Sequence, residues 1–131
     1  DKTDRWNKIS NTKNFWANMP WTRDGKQLWS YINKFRPHIL SAFSPEDPNC
    51  KPGKMRWLRK EVGYTQSFMI NIVRRREKKN FAMKGSDIGK KPAILIDDYP
   101  KNVRQFRAAG GIGIEHTSAS STINQLKRLG F

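Results

Sequence analysis

Three bulky apolar residues, Ile94-Leu95-Ile96, run directly into two adjacent carboxylates, Asp97 and Asp98. The composition of 93–96 is that of a buried strand, because β-branched and large apolar side chains suit a pleated, covered surface. Such a strand has no low-cost way to hold two neighbouring negative charges. An ionised carboxylate costs several kcal/mol to desolvate unless it is paired or bound to a cation. Asp97 and Asp98 are therefore expected where the strand emerges, and in open α/β sheets the carboxyl ends of strands are where ligands bind. Two carboxylates there fit a hard cation such as Mg2+, which prefers oxygen ligands. The alternative, from the dipeptide alone, is a strand end followed by an Asp-rich turn through Tyr99-Pro100.

The pattern around this strand repeats. Residues 38–41 and 67–73 read as two further buried strands, and Ile112-Gly113-Ile114 as a fourth, whose glycine implies close packing against it. Between them lie helical patterns. One starts near Gly53, carries Met55, Trp57, Leu58 and Val62, and stops at Gly63. Another is capped by Asn102, carries Val103, Phe106 and Arg107, and ends at Gly110-Gly111. A last helix, with N-caps available from Ser118 to Ser121, carries Ile123, Leu126 and Leu129. Ahead of residue 37, Asp24 and Gln27 form a capping box for a helix bearing Leu28, Ile32 and Phe35, which Arg36-Pro37 ends. The alternation β-α-β-α-β-α-β-α over 37–131 predicts a mostly parallel sheet with helices on both faces. At 131 residues the chain is expected to be a single domain with one core.

Charge narrows the partner. The 26 Lys and Arg against 11 Asp and Glu give +15, which favours nucleotides, nucleic acid or phosphorylated metabolites over neutral or cationic ligands. A merely solvated basic surface is the alternative. Cys50 is the only cysteine, so no intramolecular disulfide is possible, which fits a cytoplasmic location. No base stands near it to make it a nucleophile. No apolar run approaches the ~18–20 residues that span a bilayer, and the polar start Asp1-Lys2-Thr3-Asp4 is no signal peptide, so no membrane partner is expected.

Taken in order, the strand ends deliver Ser41, then Arg74-Arg75-Arg76 with Lys78, then Asp97-Asp98, then Glu115-His116. A hydroxyl, cations and a carboxylate pair suit a phosphate: donors hold its oxygens, a lysine neutralises it, and a carboxylate-held Mg2+ bridges it. An apolar strand ending at Ser41, Lys54 opening a helix, Arg76-Glu77-Lys78 after a strand, and Ile94-Leu95-Ile96-Asp97-Asp98 together resemble motifs two to four of the haloacid dehalogenase superfamily. The nearest branch is the 5'(3')-deoxyribonucleotidase-like phosphatases, including small phage-type members. The resemblance implies a Rossmannoid three-layer α/β sandwich over 37–131, with 1–36 as a helical cap-like segment. It also implies a Mg2+-dependent hydrolase acting on a nucleotide or other phosphomonoester. Ser41 would then bond the transferring phosphoryl group, Lys54 and Lys78 with Arg76 would contact phosphate, and Asp98 would ligate Mg2+ beside its supporting neighbour Asp97. Phe15 and Trp16 would enclose a base or sugar.

The family's first motif, Asp-x-Asp at the end of an N-terminal apolar strand, is missing from this sequence. That motif carries the nucleophile and the general acid/base, and its strand is central in the family's sheet. The chain is accordingly expected to be truncated and inactive as given. The alternatives are that a homo-oligomer or a complementing strand from another chain fills the gap, or that the fragment is rearranged into a non-catalytic basic module. The competing function is a basic nucleic-acid-binding protein without catalysis, using Arg74 to Lys79, Lys84, Lys90 and Lys91 with tryptophans for stacking.

Overall fold

A computed structural model of the protein describes residues 21–84 and 91–131. Helix α1 (Gly25–Ile32) is followed by a 3₁₀ turn (Asn33–Phe35), β1 (Ile39–Ala42), α2 (Cys50–Glu61), a 3₁₀ turn (Ser67–Met69) and β2 (Ile70–Val73). A longer 3₁₀ helix (Arg75–Phe81) precedes β3 (Ile94–Asp97), α3 (Pro100–Ala108), β4 (Ile112–Glu115) and α4 (Ala119–Arg128). The chain is mixed α/β and divides into two compact units, one holding 38–74 and the other holding 21–37 and 75–131. Phe15 and Trp16, with the rest of 1–20, lie outside the described residues.

In the first unit β1 and β2 pair in parallel, from Ile39 opposite Ile70 to Ala42 opposite Val73. Helix α2 connects them and packs on β2. Cys50, Leu58, Tyr64, Met69, Ile70 and Ile72 are buried. The helix begins at Cys50, three residues ahead of the expected start at Gly53. Pro52 stands in its first turn, where a missing N–H leaves nothing unsatisfied. The loop before it is held by Asp47, whose Oδ1 accepts from Asn49 N–H at 2.9 Å and whose carbonyl accepts from Cys50 N–H at 3.1 Å. The apolar run 67–73 is strand only over its last four residues; its first three form the 3₁₀ turn, with Phe68 exposed.

In the second unit β3 and β4 also pair in parallel, from Ile94 opposite Ile112 to Asp97 opposite Glu115. Helix α3 packs on β4, on β3 and on the 3₁₀ helix, and α1 packs on α4. Gly113 does what its place in the strand implied. A Cβ there would meet Val103 Cγ1 at 2.8 Å and the Val103 carbonyl at 3.0 Å, so only glycine admits α3 this closely. Leu95, Val103, Phe106 and Ile114 form the buried centre, with Ala119 and Leu126 beneath α4. Among the described residues the four strands form two separate two-stranded parallel sheets, β1–β2 and β3–β4.

The expected capping box at α1 is not formed. Asp24 precedes the helix but makes no side-chain bond to it. Its carboxylate instead accepts the Ala119 N–H at the start of α4, and its Oδ1 lies 3.2 Å from His116 Nε2. His116 Nδ1 is in turn 2.7 Å from the hydroxyl of Thr122, which is fully buried. A carboxylate at a foreign helix N-terminus satisfies an orphan N–H and meets the positive end of the dipole. The Ala119 N–H, then His116, hold the Asp24 carboxyl below its ordinary 3.8. A depressed carboxyl stabilises the fold above its unfolded pKa and ceases to do so as pH falls through the folded value. Asp24→Ala should lower Tm at pH 7, and the gap from the native chain should close as pH drops below 3.8. An unchanged Tm at pH 7 would show that α1 does not depend on this contact.

Candidate functional site

In the first unit the site residues gather at the carboxyl end of β1. Ser41 is half-buried, the third residue of the strand. Lys54 reaches it from α2, with Nζ 3.3 Å from Ser41 Oγ and also donating to the Ala42 carbonyl. Lys54 lies one turn inside α2 rather than at its head, because the helix starts early. Ser41 and Lys54 are in contact. Cys50, buried nearby in sequence, accepts a bond from Ser44 N–H through its sulfur and plays a packing role.

In the second unit the site is built at the carboxyl end of β3. Lys78 is turned inward from the 3₁₀ helix, and Nζ lies 2.9 Å from Asp97 Oδ2. Both side chains are buried. Asn102 Nδ2 donates to the same oxygen at 3.0 Å, and Tyr99 N–H donates to Oδ1 at 2.9 Å. Burial alone would raise the Asp97 carboxyl. The Lys78 ammonium, the Tyr99 N–H and the Asn102 amide together outweigh it and hold the group below 3.8. The strand stays hydrogen-bonded to its last residue, since His116 N–H donates to the Asp97 carbonyl at 2.8 Å. That is why the strand runs through Asp97 instead of ending at Ile96.

Asp97 and Asp98 thus have different fates. Asp97 is buried and bonded by three donors, whereas Asp98 is exposed. Arg76 is exposed on the 3₁₀ helix. Asn102, read from sequence as an N-cap, is the third residue of α3 and is buried with its amide on Asp97. Helix α3 begins at Pro100, whose fixed φ suits a first helical position. Asn102 Oδ1 is buried and accepts no hydrogen bond among the described residues. Spacing from a carboxylate by five residues gave no signal for its true role.

A metal has a limited fit here. Among the described residues no three His, Cys, Asp or Glu come together. Each carboxylate oxygen has two lone pairs, so Asp97 keeps capacity for one more bond, at Oδ1. Asp98, exposed, would supply one carboxylate ligand were Mg2+ bound together with phosphate oxygens and water. Bound so, the ion would neutralise charge on a phosphate.

Removing one partner of a buried pair leaves an uncompensated charge, at a cost of about 3–5 kcal/mol. Asp97→Asn and Lys78→Met should each destabilise by that order in urea unfolding at pH 7. The double variant should cost clearly less than the sum, because neither charge is then left alone. Additive losses would show that the pair is not coupled. The Asp97 contribution should be present above 3.8 and fade as pH falls below it.

Compared with protein-family models, with curated proteins and with solved structures, the chain matches none.

Proposed function

We propose that this chain supplies the phosphate-binding part of a Mg2+-dependent phosphohydrolase of the haloacid dehalogenase type, acting on a nucleotide or other phosphomonoester. The observation that carries the reading is a repeated device. At the carboxyl end of the first strand of each parallel pair, a lysine from a neighbouring helix is brought onto a hydroxyl or a carboxylate: Lys54 onto Ser41, Lys78 onto Asp97. Strand carboxyl ends are the ligand-binding edge of α/β folds, and hydroxyl and ammonium donors are what phosphate oxygens require.

In this reading the two units carry separate contacts: Ser41 and Lys54 hold phosphate oxygens in the first, and in the second Arg76 adds charge from the surface and Asp98 contributes to Mg2+. Asp97 positions Lys78 and takes no direct part. The Rossmannoid sandwich of the family is part of the proposal. Each short parallel pair, taken by itself, is compatible with it. Covalent catalysis needs a positioned nucleophile, and the sequence holds no Asp-x-Asp. Turnover would require a strand bearing that motif in addition to these residues.

The chain alone should bind inorganic phosphate weakly, more tightly with Mg2+ present, and should lose about tenfold in affinity in Lys54→Ala, the order expected for one charge-assisted bond. It should not turn over p-nitrophenyl phosphate or nucleoside monophosphates above an Asp98→Ala control. Calorimetry and a phosphate-release assay check the two points. Phosphate binding that ignores both Lys54 and Mg2+ would remove the basis for the proposal, and turnover above the control would show that the nucleophile lies within these residues.

A further inference from the structure

The buried network at Asp97 uses one cation of a much larger set. Lys78 points inward to Asp97, while Arg75, Arg76 and Lys79 are exposed. Helix α3, packed against the 3₁₀ helix that carries them, exposes Lys101 and Arg104, which are three apart and lie on one helical face. Against these five cations stand Asp98, exposed, and Glu77, half-buried. Between the two elements sits an exposed aromatic ring. Tyr99 is 40 % accessible, its backbone is held by the Asp97 carboxylate, and the Arg75 guanidinium lies 4.5 Å over its centroid.

We propose that this face, made by the 3₁₀ helix Arg75–Phe81 and the start of α3, binds single-stranded nucleic acid, with Tyr99 and Arg75 as a base-stacking platform. A mononucleotide phosphate needs two or three donors. Five exposed cations along two packed elements match a run of phosphates. An exposed ring beside a guanidinium plane offers stacking that any unpaired base can use and that a duplex withholds. An acidic peptide or an anionic lipid surface would use the same charge but gain nothing from the ring. The proposal goes beyond the phosphohydrolase reading and does not depend on Asp98, Ser41 or Lys54.

The test is fluorescence anisotropy of a labelled 12-nucleotide oligothymidylate with the whole chain, titrated across 50–300 mM KCl. Single strands give a log–log salt slope of about −0.7 per phosphate neutralised, so five contacts predict about −3.5. Arg75→Glu with Arg104→Glu should weaken binding at least tenfold and flatten the slope by about 1.4. Tyr99→Ala should weaken it about fivefold or more with the slope unchanged, and Tyr99→Phe should retain binding. Lys34→Glu with Lys127→Glu, a matched charge change at the α1–α4 side of the same unit, should alter affinity less than twofold. Circular dichroism and melting of each variant exclude unfolding as the cause. Equal losses from the two charge-reversed pairs, indifference to Tyr99, or equally tight binding of a duplex, of polyglutamate or of phosphatidylserine vesicles would each overturn the proposal. Inorganic phosphate binding, measured in parallel, reports on the phosphohydrolase reading, so either can fail alone.

Discussion

The second unit is organised around one buried carboxylate. Asp97 ends β3 at a point where its side chain is covered, and an ionised carboxylate there must find donors or be expelled. Three arrive from three places: Lys78 from the 3₁₀ helix, Asn102 from α3, and the Tyr99 N–H from the connection between strand and helix. Each fixes the segment that brings it. The Lys78 contact turns one side of a highly charged helix toward the interior, and the Asn102 contact sets the first turn of α3 over the strand. Gly113 then lets the following turn of α3 come down onto β4, where Val103 and Phe106 are buried. The packing of the unit is a consequence of satisfying that charge, and the apolar contacts follow in the order that α3 delivers them.

The physics of desolvation made part of this legible in advance. It placed the carboxylate pair at a strand end and required a partner for it. It did not say whether the partner would be a cation in solution or a lysine of the same chain. The parallel pairing and the helices between strands followed from alternating apolar runs, and Gly113 from the cost of a glycine inside a strand. Local propensity failed where a long-range contact was stronger. Asp24 has every local reason to cap α1, yet it caps α4, because an N-terminal N–H and an imidazole lie within its reach. Asn102 has the chemistry of a cap, but Tyr99-Pro100 starts the helix three residues earlier and carries Asn102 into the interior. Lys78 could not be told from its neighbours, because in a run of cations nothing local marks which one turns inward.

The two carboxylates part at the end of the strand. Asp97 is the last residue of β3 and is covered, whereas Asp98 lies past it and is exposed. A motif that reads as a metal site in one dimension therefore divides, in three, into a structural anchor and an exposed carboxylate. This also explains why an adjacent pair is tolerated at all. One charge is neutralised by Lys78 and the other is solvated, so neither carries an unpaid desolvation cost.

Other cations stay at the surface, among them Arg75, Arg76, Lys79, Lys101 and Arg104. A net charge of +15 on 131 residues destabilises the compact state by self-repulsion, and the internal network neutralises little of it. At the ionic strength of a cell the repulsion is screened beyond about 8 Å, but neighbours along the 3₁₀ helix lie well inside that range. Arg75 relieves some of the crowding by lying on Tyr99, a contact that holds the guanidinium and the ring on the surface together instead of burying either. An interaction that leaves both its partners exposed adds little to stability. Its physical effect is to hold a flat, positively charged surface in place beside the strand end.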